Sequence, residues 1–376
     1  MSGLTSPTSP SSLDVIVIGG GQAGLAMAWH LMRQGLRFVV LDANENVGHS
    51  WRSRWESLKL FTPAQFDGLP GKPFPAPADT YPGKDQVADY LLDYASSFEL
   101  PLISNALVSD ATLSNGMFEV RSEAGTFEAR QLVVATGPFQ VASRPSIAER
   151  LDSSVAQLHS SQYRNPNQLP HGAVLVVGGG NSGFQIAKEL SATHTVELSI
   201  GTKAPTLPQR VLGRDIFWWL IRSGLMDKTA DSWIARRVRR GPDSVMEITP
   251  RRLRQLGVSI RPRAVGAGGN VVRFEDGSTT IVTAVIWATG FRSSYSWMNV
   301  PGVIVGGEIR HRRGVTSVPG LYFLGLPWQH TRGSSLLGFV KQDAEYLSGE
   351  IAALHRPLDD QANPARWPAS IEVVTT

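Results

Sequence analysis

Two stretches of the chain nearly repeat one another: VIGGGQAG from Val17 to Gly24 and VVGGGNSG from Val176 to Gly183. Each contains G-x-G-x-x-G after a short β-branched apolar run and before an amphipathic stretch. That order reads as strand, tight turn, helix and strand, the unit that cradles a dinucleotide pyrophosphate on a helix N-terminus. The first unit runs through LDVIVIGG, GQAGLAMAWHLMRQG and LRFVVLD, with Leu25, Ala28, Trp29 and Met32 on one helix face and Gly35 ending the helix. The second runs through AVLVVGGG, NSGFQIAKELS and TVELSIGT. Each unit is followed, at nearly the same distance, by a strand ending in ATG: Thr136 and Gly137 close LVVATG, and Thr289 and Gly290 close VIWATG. This is a repeat of whole domains.

The fold class implied is α/β, with two Rossmann-like dinucleotide-binding domains, the second inserted into the first. The expected boundaries are 13–160 and 291–376 for the first domain and 161–290 for the second. The stretch after Gly290 is too short for a third such domain, and PGLYFLGLPWQHTRGSSLLGF reads as a strand and helix that return to complete the first. Residues 1–12, MSGLTSPTSPSS, lack both a basic start and an apolar run and read as a flexible tail, with a cytoplasmic location as the default.

The two loops differ in the residue that closes the next strand. An acid about 20 residues past such a loop binds the adenosine ribose hydroxyls. Asp42 stands 23 residues after Gly19, whereas the same offset from Gly178 lands on Gly201, followed by Thr202 and Lys203. A carboxylate repels a 2′-phosphate; a lysine and a hydroxyl can hold one. FAD is therefore expected on Gly19, Gly21, Gln22, Ala23, Gly24 and Asp42. NADPH is expected on Gly178, Gly180, Asn181, Ser182, Gly183, Thr202 and Lys203, with NADH left open.

The chain has no cysteine, which excludes disulfide redox chemistry and thiolate metal sites, and its eight histidines show no metal-binding spacing. No apolar run is long enough to span a membrane. Thirteen Lys and Arg against five Asp and Glu lie between Arg210 and Arg263. A solvated helical face beside an anionic cofactor is preferred over a nucleic-acid or membrane surface. Within this region VLGRDIFWWLIRSGLMDKTADSWIARRVRR reads as a helical part of the second domain, with a membrane-surface helix as the alternative.

Taken together, GGGQAG, GGGNSG, the ATG-terminated strands and PGLYFLGLPW resemble the flavin-containing monooxygenases, from Leu13 to about Ile351. The resemblance implies an FAD- and NAD(P)H-dependent monooxygenase that uses O2 through a C4a-(hydro)peroxyflavin to oxidise small uncharged substrates at sulfur or, in ketones, by Baeyer–Villiger reaction. It implies a small-molecule substrate and no nucleic-acid or membrane partner, and it is compatible with a homodimer. An oxidase or reductase passing electrons to O2, a quinone or a partner is the alternative, and a redox-sensing flavoprotein is a third reading.

The resemblance also assigns residues. VGHSWR matches the family's G-G-x-W-R, placing Trp51 and Arg52 beside the flavin, with His49 replacing a glycine. SSVAQLHSSQY matches the family fingerprint at His159 and Tyr163, while Ser153 and Val155 replace its Phe and Gly; His159 is expected to be structural. SLKLFTP puts Phe61 where family members carry an asparagine beside the flavin. Thr136, Gly137, Thr289, Gly290 and, on the returning segment, Gly325 are expected to bind cofactor as well. RGSSLLG is expected to aim a helix N-terminus at the flavin, and Trp328, Gln329 and His330 to line the substrate side.

Overall fold

The computed structural model describes residues 13–355; the expected N-terminal tail and the last residues assigned to the first domain lie outside them. Leu13–Ile18 (β1) is buried from Asp14 onward, as a strand covered on both faces must be. It feeds helix Gln22–Arg33 (α1) and then strand Phe38–Leu41 (β2). Helix Lys84–Ser97 (α2), strands Leu102–Ile103 (β3), Val108–Ser114 (β4) and Met117–Ser122 (β5), and the long strand Gly125–Val134 (β6) come next. The first half of β6 pairs antiparallel with β5; its second half runs parallel to β1.

The second sheet is built from strands Ala156–His159 (β7), Ala173–Val177 (β8), Thr195–Ser199 (β9), Ser259–Arg261 (β10) and Ala284–Trp287 (β11), with helix Asn181–Leu190 (α3) after β8. All five strands are parallel, in the order β10-β9-β8-β11-β7. The boundary drawn at residue 160 thus falls too late: β7 already belongs to this sheet, because its backbone groups pair with β11. Between β9 and β10 the chain inserts the short helices Ile216–Arg222 (α4) and Trp233–Arg239 (α5).

Past β11 the chain goes back to the first sheet. Strand Leu321–Phe323 (β12) adds parallel to β6, and helix Lys341–Leu354 (α6) packs on α1. The parallel part of the first sheet therefore reads β3-β2-β1-β6-β12, the same arrangement as the second sheet. The crossings between sheets pair with each other, Val141–Ala142 against Phe291–Arg292.

Apolar clusters fill both faces of each sheet. The apolar face expected of α1, Leu25, Ala28, Trp29 and Met32, is present and wider than those four residues. Ala26, Met27 and Leu31 are buried with Leu25 and Ala28, whereas Trp29 and Met32 are only partly covered. The cause is that α1 meets the sheet on one side and α2 and α6 on others.

Candidate functional site: two dinucleotide loops and an apolar cluster

At the end of β1, Gly19 turns with φ +108°, a conformation that favours glycine, and a β-carbon there would come within 2.6 Å of the Ala135 carbonyl oxygen. A β-carbon on Gly24 would overlap the Gly19 carbonyl, so α1 can start this close to β1 only with glycine there. Among the described residues nothing lies within 4 Å of where a β-carbon on Gly21 would stand. Two glycines thus serve packing, and the third leaves backbone open to an approaching ligand. Asp42 closes the loop: its Oδ2 accepts from the Gly20 amide at 2.6 Å, and its Oδ1 accepts from the backbone and side-chain nitrogens of Asn44, each at 2.8 Å. A cavity of about 170 Å3 opens beside this carboxylate, lined by Ile18, Ala106, Val108, Thr136 and Trp297 among others. Apolar walls with one oriented carboxylate suit a flat heterocycle carrying vicinal hydroxyls. Ala106, Val108 and Trp297 were not found from sequence; they carry no motif.

The second loop repeats the geometry. Gly178 has φ +138°, β-carbons on Gly178 and Gly183 would overlap the Ala288 and Gly178 carbonyls, and Gly180 faces open space. The expected counterpart of Asp42 needs correction. Ile18 is in register with Leu41, and Val177 with Ser199, so the residue matching Asp42 is Ile200, one before Gly201. The connection here is one residue shorter, so a fixed offset overshoots. No carboxylate stands there in either case. Instead Arg263, brought in after β10, lies over Gly201. A β-carbon on Gly201 would come 2.8 Å from its Cζ, and its guanidinium donates to Thr202 Oγ1 at 3.3 Å. Arg263 is exposed and has no acidic partner within ion-pair distance among the described residues. Lys203 is exposed as well.

Three distant segments bring apolar side chains together. Phe61 stacks on Phe217 with centroids 6.0 Å apart, and Phe339 lies 6.3 Å from Phe217. Met226, Met246, Leu207 and Leu336 complete the cluster. Buried Asp215 organises it: Tyr81 Oη and Gln209 Nε2 donate to its Oδ2, each at 2.7 Å, and its Oδ1 caps α4 at Phe217 N. Gln209 also donates to the Phe61 carbonyl at 2.8 Å. Next in the chain after Phe61, Thr62 donates to buried Asp67 at 2.5 Å, and Asp67 Oδ2 has no hydrogen-bond partner among the described residues. Burial, opposed by that hydrogen bond, pushes the Asp67 carboxyl up to about 7.

The remaining expected residues make the following contacts. Trp51 donates to Gln22 Oε1 at 3.3 Å, beside the first loop. Gly325 approaches Ala23 so closely that a β-carbon on it would come 2.9 Å from the Ala23 methyl. Thr136 and Gly137 hold the Gln140 amide, each at 2.9 Å. Thr289 donates to the Ser143 carbonyl on the crossing strand, and Gly290 accepts from His159. Ser182 lies half-buried in the first turn of α3. Arg52 is turned away, to Asp89 at 2.6 Å and Asp85 at 3.6 Å on α2. Both ends of the Asn181 amide hold the inserted segment at Ser244 and Met246.

His159 is fully buried. Its Nε2 donates to Gly290 at 2.9 Å, its Nδ1 accepts from Ser161 N at 3.2 Å, and burial lowers its pKa, so it joins the sheet to the crossing as a neutral ring. Tyr163 is buried and donates to Glu189. Gln329 turns inward to bond Leu326 N and the Arg313 carbonyl, while His330 is tied through its backbone to Ala230 and Ser334. Trp328 sits at a strained φ of +57°. The helix expected at RGSSLLG is a 3-10 turn at Arg332–Ser335, and the long helix begins only at Lys341. Thr331 Oγ1 accepts from Gly333 N and Ser334 Oγ from Thr331 N, so these two amides are already engaged.

Residues 16–209 match the family described as pyridine nucleotide-disulphide oxidoreductase. The chain belongs to that family. It is 46% identical to an "uncharacterized oxidoreductase CzcO-like" of Geobacillus kaustophilus, over 90% of this chain and 98% of that protein. It is 29% identical to an indole-3-pyruvate monooxygenase of Oryza sativa, over 87% of this chain and 86% of that protein. A solved flavin-containing monooxygenase from Stenotrophomonas maltophilia superposes with a TM-score of 0.78 at 29% identity, covering 92% of this chain and 99% of that one. The chain is accordingly a flavin-containing-monooxygenase-like enzyme dependent on FAD and NAD(P)H. Among the described residues no helix is long and apolar enough to cross a membrane.

Proposed function

We propose that this oxidoreductase transfers one atom of O2 to small uncharged substrates, at thioether sulfur or a ketone, with FAD on the first loop and NADPH on the second. The observation that carries the reading is the cluster of Phe61, Phe217 and Phe339, closed by Gln209 and Asp215, together with the absence of any cysteine. A family member without a thiol pair has no disulfide to reduce. When bound, the reduced flavin supplies the oxygen-activating chemistry and NADPH the hydride. The chain's own contribution is to bind and to exclude water. Gly21 and Gly180 offer open backbone to the pyrophosphates, and Asp42 suits the ribose of FAD. Arg263 and Thr202 suit a 2′-phosphate, with Lys203 as a second exposed charge. The aromatic cluster favours apolar substrates over charged amines, which would lose hydration there.

Phe61 favours a second outcome within the same site. A phenyl ring donates no hydrogen bond, so reduced oxygen is held less firmly and escapes in part as peroxide. The test is steady-state NADPH oxidation with a thioether or a cyclic ketone, counting oxygenated product and peroxide together. The proposal expects both. Peroxide alone would move the assignment to an oxidase, and negligible turnover to a sensing or binding flavoprotein.

A further inference from the structure

The inserted segment between residues 211 and 240 exposes side chains that water does not favour. Leu212 is 86% exposed and Trp233 75%, with Trp219, Leu225 and Val238 also exposed. Leu212 sits at the tip of the hairpin Arg210–Val211 and Arg214–Asp215 with φ +49°. A leucine with positive φ is strained in its backbone, and its uncovered apolar side chain is disfavoured in water unless something covers it. Trp219 donates to the Val211 carbonyl at 3.0 Å, which fixes its ring beside that tip. In α4, IFWWLIR, only Phe217 is buried. Ile216, Leu220 and Ile221 join the inner cluster, while Trp219 faces out. A helix apolar all round belongs in a core or at a lipid boundary.

Cations lie in the same segment. Arg214 and Arg222 flank Trp218 at 5.4 and 6.0 Å. Arg236, Arg237 and Arg239 form the last turn of α5, next to exposed Val238. Among the described residues Arg210, just before this segment, pairs with Asp79 at 3.5 Å, and no arginine or lysine within the segment has an ion-pair partner. The field of Arg239 reaches His311, which lies between Arg310 and Arg312.

We propose that this face docks on an anionic lipid surface, with Leu212 and Trp233 entering the headgroup layer and the arginines meeting lipid phosphates. Tryptophan suits that layer, aliphatic side chains gain by entering it, and arginine keeps its charge at the phosphates. A symmetric contact with a second copy would set these cations against their own kind. Nucleic acid would use the arginines but leave Leu212, Leu225 and Val238 uncovered. Surface docking needs no spanning helix, and it departs from the expectation that this segment serves only the cofactor domain.

The test is co-sedimentation of the full FAD-loaded protein with phosphatidylcholine vesicles, pure or containing about 30% phosphatidylglycerol. Binding is expected to the anionic vesicles and not to the neutral ones. Leu212→Ser with Trp233→Ser should weaken it at least about tenfold. Arg236→Gln with Arg237→Gln and Arg239→Gln should weaken it and flatten its salt dependence, and both sets should leave NADPH oxidation in solution unchanged. Failure of the wild-type protein to bind anionic vesicles at low salt, or equal binding by the variants, would overturn the proposal. So would a dimer in solution that dissociates with Leu212→Ser, which would give the patch to a second copy.

Discussion

The guanidinium of Arg263 lies over Gly201, where a β-carbon would come within 2.8 Å of its Cζ, and it donates to the Thr202 hydroxyl. The second loop thus ends in a cation where the first ends in the carboxylate of Asp42. Arg263→Ala is expected to raise the KM for NADPH about tenfold, the scale of one charge-assisted hydrogen bond, and to leave NADH nearly unchanged. Lys203→Ala should act in the same direction and more weakly. Equal effects on both coenzymes would mean that neither residue reads the 2′-phosphate.

The glycines of the first loop separate binding from folding. Gly21 faces open space, so Gly21→Val should fold and lose flavin, as should Asp42→Ala. Gly24 abuts the Gly19 carbonyl, so Gly24→Ala should lower Tm even in flavin-free protein. Flavin content and thermal melts of the apoproteins check this; a Gly21→Val protein that purifies fully flavinated would contradict it.

Asp67 predicts a pH dependence of stability. Burial raises its carboxyl to about 7 in the fold, against about 4 in the unfolded chain. A folded pKa above the unfolded one means that the fold holds the proton more tightly. Its contribution is fully present below about pH 4, is lost as pH rises through about 7, and stays lost above. Asp67→Asn should flatten stability across that window and gain up to about 4 kcal/mol at pH 8 relative to wild type. Chemical denaturation at pH 5 and pH 8 measures it, and a variant with the wild-type slope would rule out Asp67 as the source.

These residues also show what the sequence could and could not reveal. The loops were legible because Gly19 and Gly24 answer backbone contacts within a few residues of themselves or at the ATG strand. The one-residue error over Gly201 arose because a fixed offset ignores the length of the connection, whereas strand register puts Ile200 opposite Asp42. Arg263 was hidden because it reaches the loop only through the pairing of Ser199 with Arg261. Gln209 was hidden likewise: it bonds the Phe61 carbonyl across 148 residues of chain. Arg52 and Asn181 matched a motif, yet acidic and backbone partners from distant segments claimed their side chains.

Phe61 sets the division between product and peroxide. Phe61→Asn should raise the ratio of oxygenated product to peroxide several-fold, on the order of one hydrogen bond's worth, with flavin content unchanged. A ratio that stays at the wild-type value would place Phe61 away from the reacting oxygen.

The central claim is that an oxygen atom from O2 enters the substrate. The direct measurement is turnover of a thioether with NADPH under oxygen-18 gas, then mass spectrometry of the product. The account predicts a sulfoxide carrying one labelled atom, alongside labelled peroxide. Sulfoxide without label, or NADPH consumption fully accounted for by peroxide with every uncharged substrate tried, would contradict it.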